Sequence, residues 1–471
     1  MTAAAAVFAF FMLASIAVAL AVRLGVPRMD IGQYLVAGRS LPAFVIFFLA
    51  VGEIYSIGTM IGLPSGIYAK GASYGIWFLC YILLAYPVGY FLAPLIWRAG
   101  KKYDAMTVPD VFEAHFKSRG LGIVVAVASI IALIPWGQYQ FLGLQVVLGA
   151  LGFHFTPAEA VGLAAVIAFL YTSISGVRAP AFVAFLKDTF MLVGIVIVGL
   201  AAVHLAPGVP AVFRVAAAHH AGFTIGGNEL AFVVSTIVFQ AFGFYLGGTG
   251  QYIFPAKSEA AIKSSMTWMP LYMLMYPFIV FASYYAVATL PGLKNPNTVF
   301  MAETLKLLPG GLVGIVAVGA GLSGVLVLAA VSLSIGAIVA RNLVPHVPPE
   351  AQRRWTVAII AVFLIAAALI TIYAPTLMLT VLNVAYYIWT QFGIGWMFIF
   401  FARRIRAEAV GSGIIVGCTL AIAFYIAHVT FWGINIGLVA LAANLLVTVA
   451  VSCALRPMPI EPIAVRKQYT A

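Results

Sequence analysis

Thirteen runs of mostly apolar residues, each long enough to cross a bilayer, follow one another along this chain with only short loops between them. A helix needs about 20 such residues to span the hydrocarbon core. The runs cover residues 2–24, 42–68, 73–97, 120–149, 157–176, 180–204, 228–254, 265–290, 311–341, 353–372, 376–402, 411–431 and 433–455. Of 471 residues, 64% are hydrophobic and 8% charged, against roughly 25% charged in soluble domains. A soluble globule of this length cannot hide so much apolar surface, so the chain reads as an all-α polytopic membrane protein. No basic residue precedes the first run, so no cleaved leader is expected. Cys80, Cys418 and Cys453 lie in apolar stretches without ligand spacing and read as small hydrophobes; no metal site is expected.

The formal net charge of +12 would point to nucleic acid in a soluble protein. Here the charges sit between apolar runs, so no nucleic-acid partner is expected and the charges report orientation instead. With the N-terminus outside, 21 of the 25 Lys and Arg fall inside, among them Arg28, Arg39, Arg98, Arg341, Arg403, Arg466 and Lys467. Only Lys70, Arg214, Lys294 and Lys306 fall outside. A different span count would scramble this asymmetry, so the expected topology is thirteen spans with the C-terminus in the cytoplasm of a bacterial-type inner membrane. Between spans, Thr107-Val-Pro-Asp110 has the residues of a helix start. Val111, Phe112, His115 and Phe116 then share one face, which is expected to lie flat on the cytoplasmic membrane surface. A second short helix is expected outside, near 298–306.

Glycine clusters interrupt two spans. The run 42–68 holds Gly52, Gly58, Gly62 and Pro64, and the run 228–254 holds Gly243, Gly247, Gly248 and Gly250. Each glycine costs a helix about 1 kcal/mol relative to Ala. Open backbone at membrane depth is tolerated only where protein or a wet cavity covers it. Two broken spans in matching positions of two halves mark the central site of a transporter, and these two lie five spans apart. Close helix packing through small residues is the other reading of such clusters.

Several stretches resemble one family. Tyr34-Leu-Val-Ala-Gly38-Arg39-Ser40-Leu41 resembles the GRSL start of the first core helix of the solute:sodium symporter family, and Gly62-Leu63-Pro64 resembles that helix's GLPG end. Residues 107–116 (TVPDVFEAHF) resemble its surface helix, and Gly250-Gln251 resembles the end of its broken seventh helix. Ser175-Gly-Val-Arg178-Ala-Pro180 with Lys187-Asp188-Thr189, Pro135-Trp136 with Gln140, and Ala340-Arg341-Asn342-Leu343 resemble the monocarboxylate-permease branch. The resemblance implies about 13 transmembrane helices with a five-plus-five inverted-repeat core, its first and sixth core helices broken. One transmembrane transporter domain would fill 1–471: an extra helix and cytoplasmic loop in 1–41, the core in 42–403, and two further helices with a short tail in 404–471.

The family seats a sodium ion between backbone carbonyls of the first core helix and a Ser/Thr pair of the eighth. By resemblance the carbonyls map to Gly52 and Tyr55, the hydroxyl pair to Leu326 and Val327, and a family aspartate to Ile54. Leucine and valine carry no oxygen, so the usual sodium site is expected to be absent. Ser323, Ser332 and Ser334 are the nearby hydroxyls. Glu53 reads as the one mid-depth carboxylate: a proton-coupling acid, a neutral structural glutamate, or a partner for a substrate ammonium. Asp188, beside Lys187, matches the family's fifth-core-helix aspartate and reads as a coupling residue or a solvated cap at the cytoplasmic end.

Candidate substrate contacts are Gly52, Glu53, Trp136, Gln138, Gln140, Gln240, Phe244 and Tyr245, with Tyr386, Tyr387 and Gln391 as weaker ones; Glu53, Tyr55 and Asp188 are the coupling-ion candidates. His428 reads as a structural residue of a peripheral span, and His219 and His220 as residues of an outer loop. No nucleotide loop or nucleophile–base pair points to an enzyme, and no cofactor is expected beyond a coupling H⁺ or Na⁺. The leading expectation is a secondary active importer of a small monocarboxylate or amino acid, proton-coupled or uncoupled. An orthodox sodium symporter with an altered site is the alternative. A solute sensor is the rival of another class, and no output domain is expected after the last run.

Overall fold

In lipid every backbone N–H and C=O must be satisfied within its own segment, which turns each apolar run into a helix. The computed structural model describes residues 2–25, 29–153, 155–218, 225–247, 250–345, 347–373 and 376–464. Arg28, His219, His220, Gly248, Arg466 and Lys467 lie outside the described residues, as does the side chain of Gln251. Among those described, 12 helices are long and apolar enough to span a membrane, and the pair Met378–Trp389 and Phe392–Phe401, bent by 42°, makes a thirteenth. They coincide with the thirteen apolar runs.

Thr2–Leu24 is the extra span. Core span one is Ala43–Ile54, then a wide π-type turn at Gly58–Gly62, then Leu63–Lys70. Spans two to five are Ala72–Lys102, Arg119–Ala150, Pro157–Ser175 and Arg178–Leu205. Span six is Gly227–Leu246 followed by Gly250–Ile253. Span seven joins Glu259–Trp268 to Tyr276–Thr289 through a tighter turn at Met269–Met275. Span eight is Gly310–Ile338 with a wide last turn at Val339–Leu343, span nine is Pro349–Tyr373, and span ten is the bent pair. Ala407–Ile426 and Ile436–Ala454 follow. His428 is exposed in the turn between these two helices, with φ 51°, not inside a span, because the first of them ends at Ile426.

Burial ranks the spans: 89% of the most apolar window of span eight is inside the protein, against 22% for the extra span and the last helix. Span eight is therefore the axis of the bundle. The two halves repeat one element order. A broken span and a long span are followed by a short surface helix, Val108–Phe116 in the first half and Val299–Leu307 in the second, and then by another long span. These surface helices are five spans apart and so lie at opposite ends of the bundle. The end with Arg39, Arg98 and Arg341 is called the basic face below.

Helix Val108–Phe116 starts as its sequence dictates, with Thr107 and Asp110 in a reciprocal capping box. Its apolar face does not lie on lipid. Val111 and Phe112 are fully buried, with the Phe112 ring edge-on to Trp396 at 5.3 Å and filling the space beside Gly395. Protein, not membrane, covers that face because span ten ends directly over it.

The Asp110 carboxylate clasps this helix to the end of span eight. It accepts from Asn342 Nδ2 at 2.7 Å and Arg341 Nε at 3.2 Å, and from the backbone N–H of Met106 and Thr107. Asp110→Ala removes the reciprocal half of the capping box and leaves Arg341 without its carboxylate. It is expected to cost about 2–4 kcal/mol, read as a lowered thermal midpoint of the purified protein, with Asp110→Asn milder.

Nearby, the Arg39 guanidinium donates to the carbonyls of Gly100, Ala105 and Phe254 at 3.1, 2.7 and 3.3 Å, tying the ends of spans two and six together. Arg178 donates to Gln33 Oε1 at 2.7 Å and Val177 N–H to Tyr34 O at 3.0 Å, so the turn between spans four and five rests on the loop before span one.

Candidate functional site

Span one leaves the helix at Tyr55 (φ −101°, ψ 76°), so the carbonyls of its last turn lose their helical partners. That end carries the negative pole of the half-helix. Lys187 Nζ donates to Tyr55 O at 2.9 Å and pairs with Asp188, and both residues are fully buried. A side chain at Gly52 would touch the same ammonium. The pair is thus not a solvated cap: Asp188 lies ten residues into span five, about 15 Å from its start. Glu53 is half-buried, within electrostatic reach of Lys187, and makes no hydrogen bond to another described residue. Mid-depth therefore holds two carboxylates, not one, and a lysine between them.

The two broken spans border one aromatic cluster. The Tyr139 ring from span three lies against Gly58 and Gly62 of the first break, where no Cβ would fit at Gly58. Tyr139 stacks on Trp136 at 5.8 Å, and Trp136 meets Trp389 at 4.9 Å. Trp389 in turn packs against Gly247 at the second break, and Thr390 against Gly243. Tyr386 sits edge-on to Trp136 at 6.1 Å and to Tyr81 at 5.8 Å. Buried polar atoms without a hydrogen-bond partner among the described residues gather here: both amide atoms of Gln140, Trp389 Nε1 and Thr390 Oγ1. Buried polar groups are ordinarily satisfied, so these are open to a ligand or to water.

The sequence candidates divide into three groups. Trp136 and Gln140 lie one turn apart on the face of span three that meets the cluster. Gly52, Glu53, Tyr55 and Asp188 form the charged group around Lys187. Gln240 and Tyr245 hold span six to its neighbours, Gln240 donating to Asn383 at 2.6 Å and Tyr245 to Met266 S at 2.9 Å, while Phe244 packs on Tyr245 and Tyr252 across the break within span six. Gln138 and Tyr387 line an outer groove with Pro135 and Tyr425, and Gln391 is bonded to Gly437 and Asn444 of the last helix. Sequence reasoning missed Tyr139, Trp389 and the seat of Lys187. The signal for Tyr139 was present, three residues after Trp136 and on the same face.

At the end opposite the basic face, a cavity of about 680 Å³ opens between span three and the helix Val299–Leu307, with Leu142, Gln145 and Lys294 in its wall. Leu142 is three residues, about 4.5 Å, along span three from Tyr139. Beside it, Glu303 is fully buried with neither carboxylate oxygen hydrogen-bonded to a described residue. Burial pushes its carboxyl well above the usual carboxylate range, with Lys306 pulling the other way. A carboxyl raised in the folded state contributes most stability below its unfolded value, about 4.3, and loses it as pH rises toward the folded value. The thermal midpoint is expected to fall as pH rises above that unfolded value, and Glu303→Gln to flatten the fall; an equal slope in the variant would contradict the assignment.

Comparison with known proteins agrees with this architecture. The uncharacterized symporter YhjB of Bacillus subtilis is 26% identical over 448 residues, 90% of this chain and 91% of that protein. A monocarboxylate transport permease protein of Rhizobium johnstonii is 31% identical over 394 residues, 80% of this chain and 78% of that one. Among solved structures, a Na⁺-coupled sialic acid symporter in a substrate-bound outward-open state superposes with a TM-score of 0.81, covering 98% of both chains at 14% identity. That likeness carries the fold, the five-plus-five inverted-repeat core with broken first and sixth spans. The family and these relatives are transporters, not enzymes. Residues 34–417 match the sodium:solute symporter family, and the chain belongs to it.

Proposed function

We propose that the protein is a secondary transporter that carries a small monocarboxylate inward by alternating access, with the basic face in the cytoplasm. The observation that carries this reading is the aromatic cluster Tyr139–Trp136–Trp389, which touches both broken spans at once. A site between two broken half-helices offers unpaired backbone N–H groups at the start of one half, suited to a carboxylate. Bulky rings from Tyr81, Trp136, Tyr139, Tyr386 and Trp389 crowd that space, which favours a solute of a few heavy atoms. The likeness to the Rhizobium monocarboxylate transport permease protein supports the same class. The orientation rests on the Lys and Arg asymmetry.

Purified protein in liposomes, offered labelled pyruvate, lactate, acetate, alanine and proline, tests the proposal. Saturable uptake of at least one of the three monocarboxylates, competed by the others, is expected. Uptake confined to alanine or proline would replace the substrate class. Binding without uptake of any of them would favour a sensor.

A further inference from the structure

We propose that the Lys187 ammonium is a built-in cation occupying the seat that the family fills with sodium, so that this chain works without an ion there. The inference rests on the transporter reading above for its uptake arm only.

The seat is defined by the end of the first half-helix, whose freed carbonyls attract a cation. Lys187 Nζ already donates to the Tyr55 carbonyl at 2.9 Å, over Gly52. Its charge is balanced by the adjoining Asp188, and both are fully buried. Buried ions persist only when paired and hydrogen-bonded, and this arrangement meets both conditions without a diffusible ion.

On the opposite wall, the two positions where the family places hydroxyls carry none. Gly194 packs against Val316, and Gly319 against Phe190 and Met191, so spans five and eight run antiparallel with Lys187 and Asp188 level with Leu322 and Ser323. One turn on are Leu326 and Val327, buried and without a side-chain oxygen. The hydroxyls of Ser323, Ser332 and Ser334 each donate to the carbonyl four residues back in their own helix, at 2.6, 2.6 and 3.0 Å. Ser323, level with the pair, keeps its oxygen lone pairs, but the Tyr55 carbonyl and Asp188 are already taken by a fixed ammonium. The lysine fills the seat, and only its removal frees these oxygens for an ion.

The experiment compares sodium chloride with choline chloride in two readouts: the thermal midpoint of the purified protein and the uptake of labelled pyruvate into liposomes. The wild type is expected to show the same midpoint and the same uptake in both salts. Lys187→Ala opens the seat beside Asp188 and is expected to gain a sodium-dependent rise in midpoint, as any ligand of the folded state produces. Lys187→Arg keeps the cation and is expected to stay indifferent. A wild-type midpoint or uptake that rises with sodium overturns the proposal, as does a folded Lys187→Ala protein with no response. Should Lys187→Ala fail to fold, the wild type and Lys187→Arg still decide. The midpoint arm needs no transported solute, so a wrong substrate class leaves it intact.

Discussion

Gly58→Ala is expected to reduce uptake at least tenfold, about 1.4 kcal/mol or more at the limiting step, while the protein still inserts into the membrane. A Cβ at this position overlaps the Tyr139 side chain, which is 1% exposed and stacked on Trp136, so it has nowhere to retreat. The added methyl drives the first break away from the aromatic cluster. Tyr139→Leu in the same chain is expected to relieve the overlap and restore a monodisperse protein without restoring uptake, because the ring that joins break and cluster is gone. Recovery of uptake in the double variant would show that Tyr139 only fills space. Radiolabelled uptake with size-exclusion profiles of each variant separates the two outcomes.

Gly176→Ala is the substitution expected to damage the fold most. Gly176 ends span four at φ 57°, ψ −135°, a region essentially closed to residues with a side chain. A Cβ there would also run into the carbonyl oxygen of Tyr34, which accepts from Val177 N–H. Strain and collision together are expected to cost on the order of 3 kcal/mol or more. The cost should appear as a sharply lower thermal midpoint and poor yield, whereas Gly162→Ala in the same span, where a Cβ meets open space, should change neither. The contact joins the loop before span one to the turn between spans four and five, two of the segments whose sequences resemble the family.

Lipid is the reason the spans were legible. A segment that must be apolar for about 20 residues leaves a mark in sequence that no packing detail erases. The break in span one was legible for a related reason: Gly58 and Gly62 stand where a ring from span three presses on the backbone. The bend in span ten was not legible. It falls at Thr390 and Gln391, where a lone Gly393 two residues on is too weak a signal, and so Trp389 was not among the candidates. The cap at Thr107 could be read because capping is local. What covers Val111 and Phe112 could not, because an apolar face looks the same against lipid and against Trp396.

The solvated-cap reading of Lys187 and Asp188 failed for the deepest reason. Two adjacent charges near a span end look like an interfacial cap until the tilt and register of span five are known. Those depend on how Gly194 and Gly319 let spans five and eight approach. The same limit applied to Gln240 and Gln391, polar residues at plausible depth whose hydrogen bonds run sideways to Asn383 and Asn444.

Solute is expected to bind where the two breaks meet the aromatic cluster. A structure determined with saturating pyruvate, or whichever monocarboxylate is transported best, tests it most directly. Ligand density bordered by Trp136, Tyr139, Gln140 and Trp389, beside the break at Tyr55–Gly58, is the expected result. Density only in the cavity near Lys294, with the cluster unchanged, would contradict it.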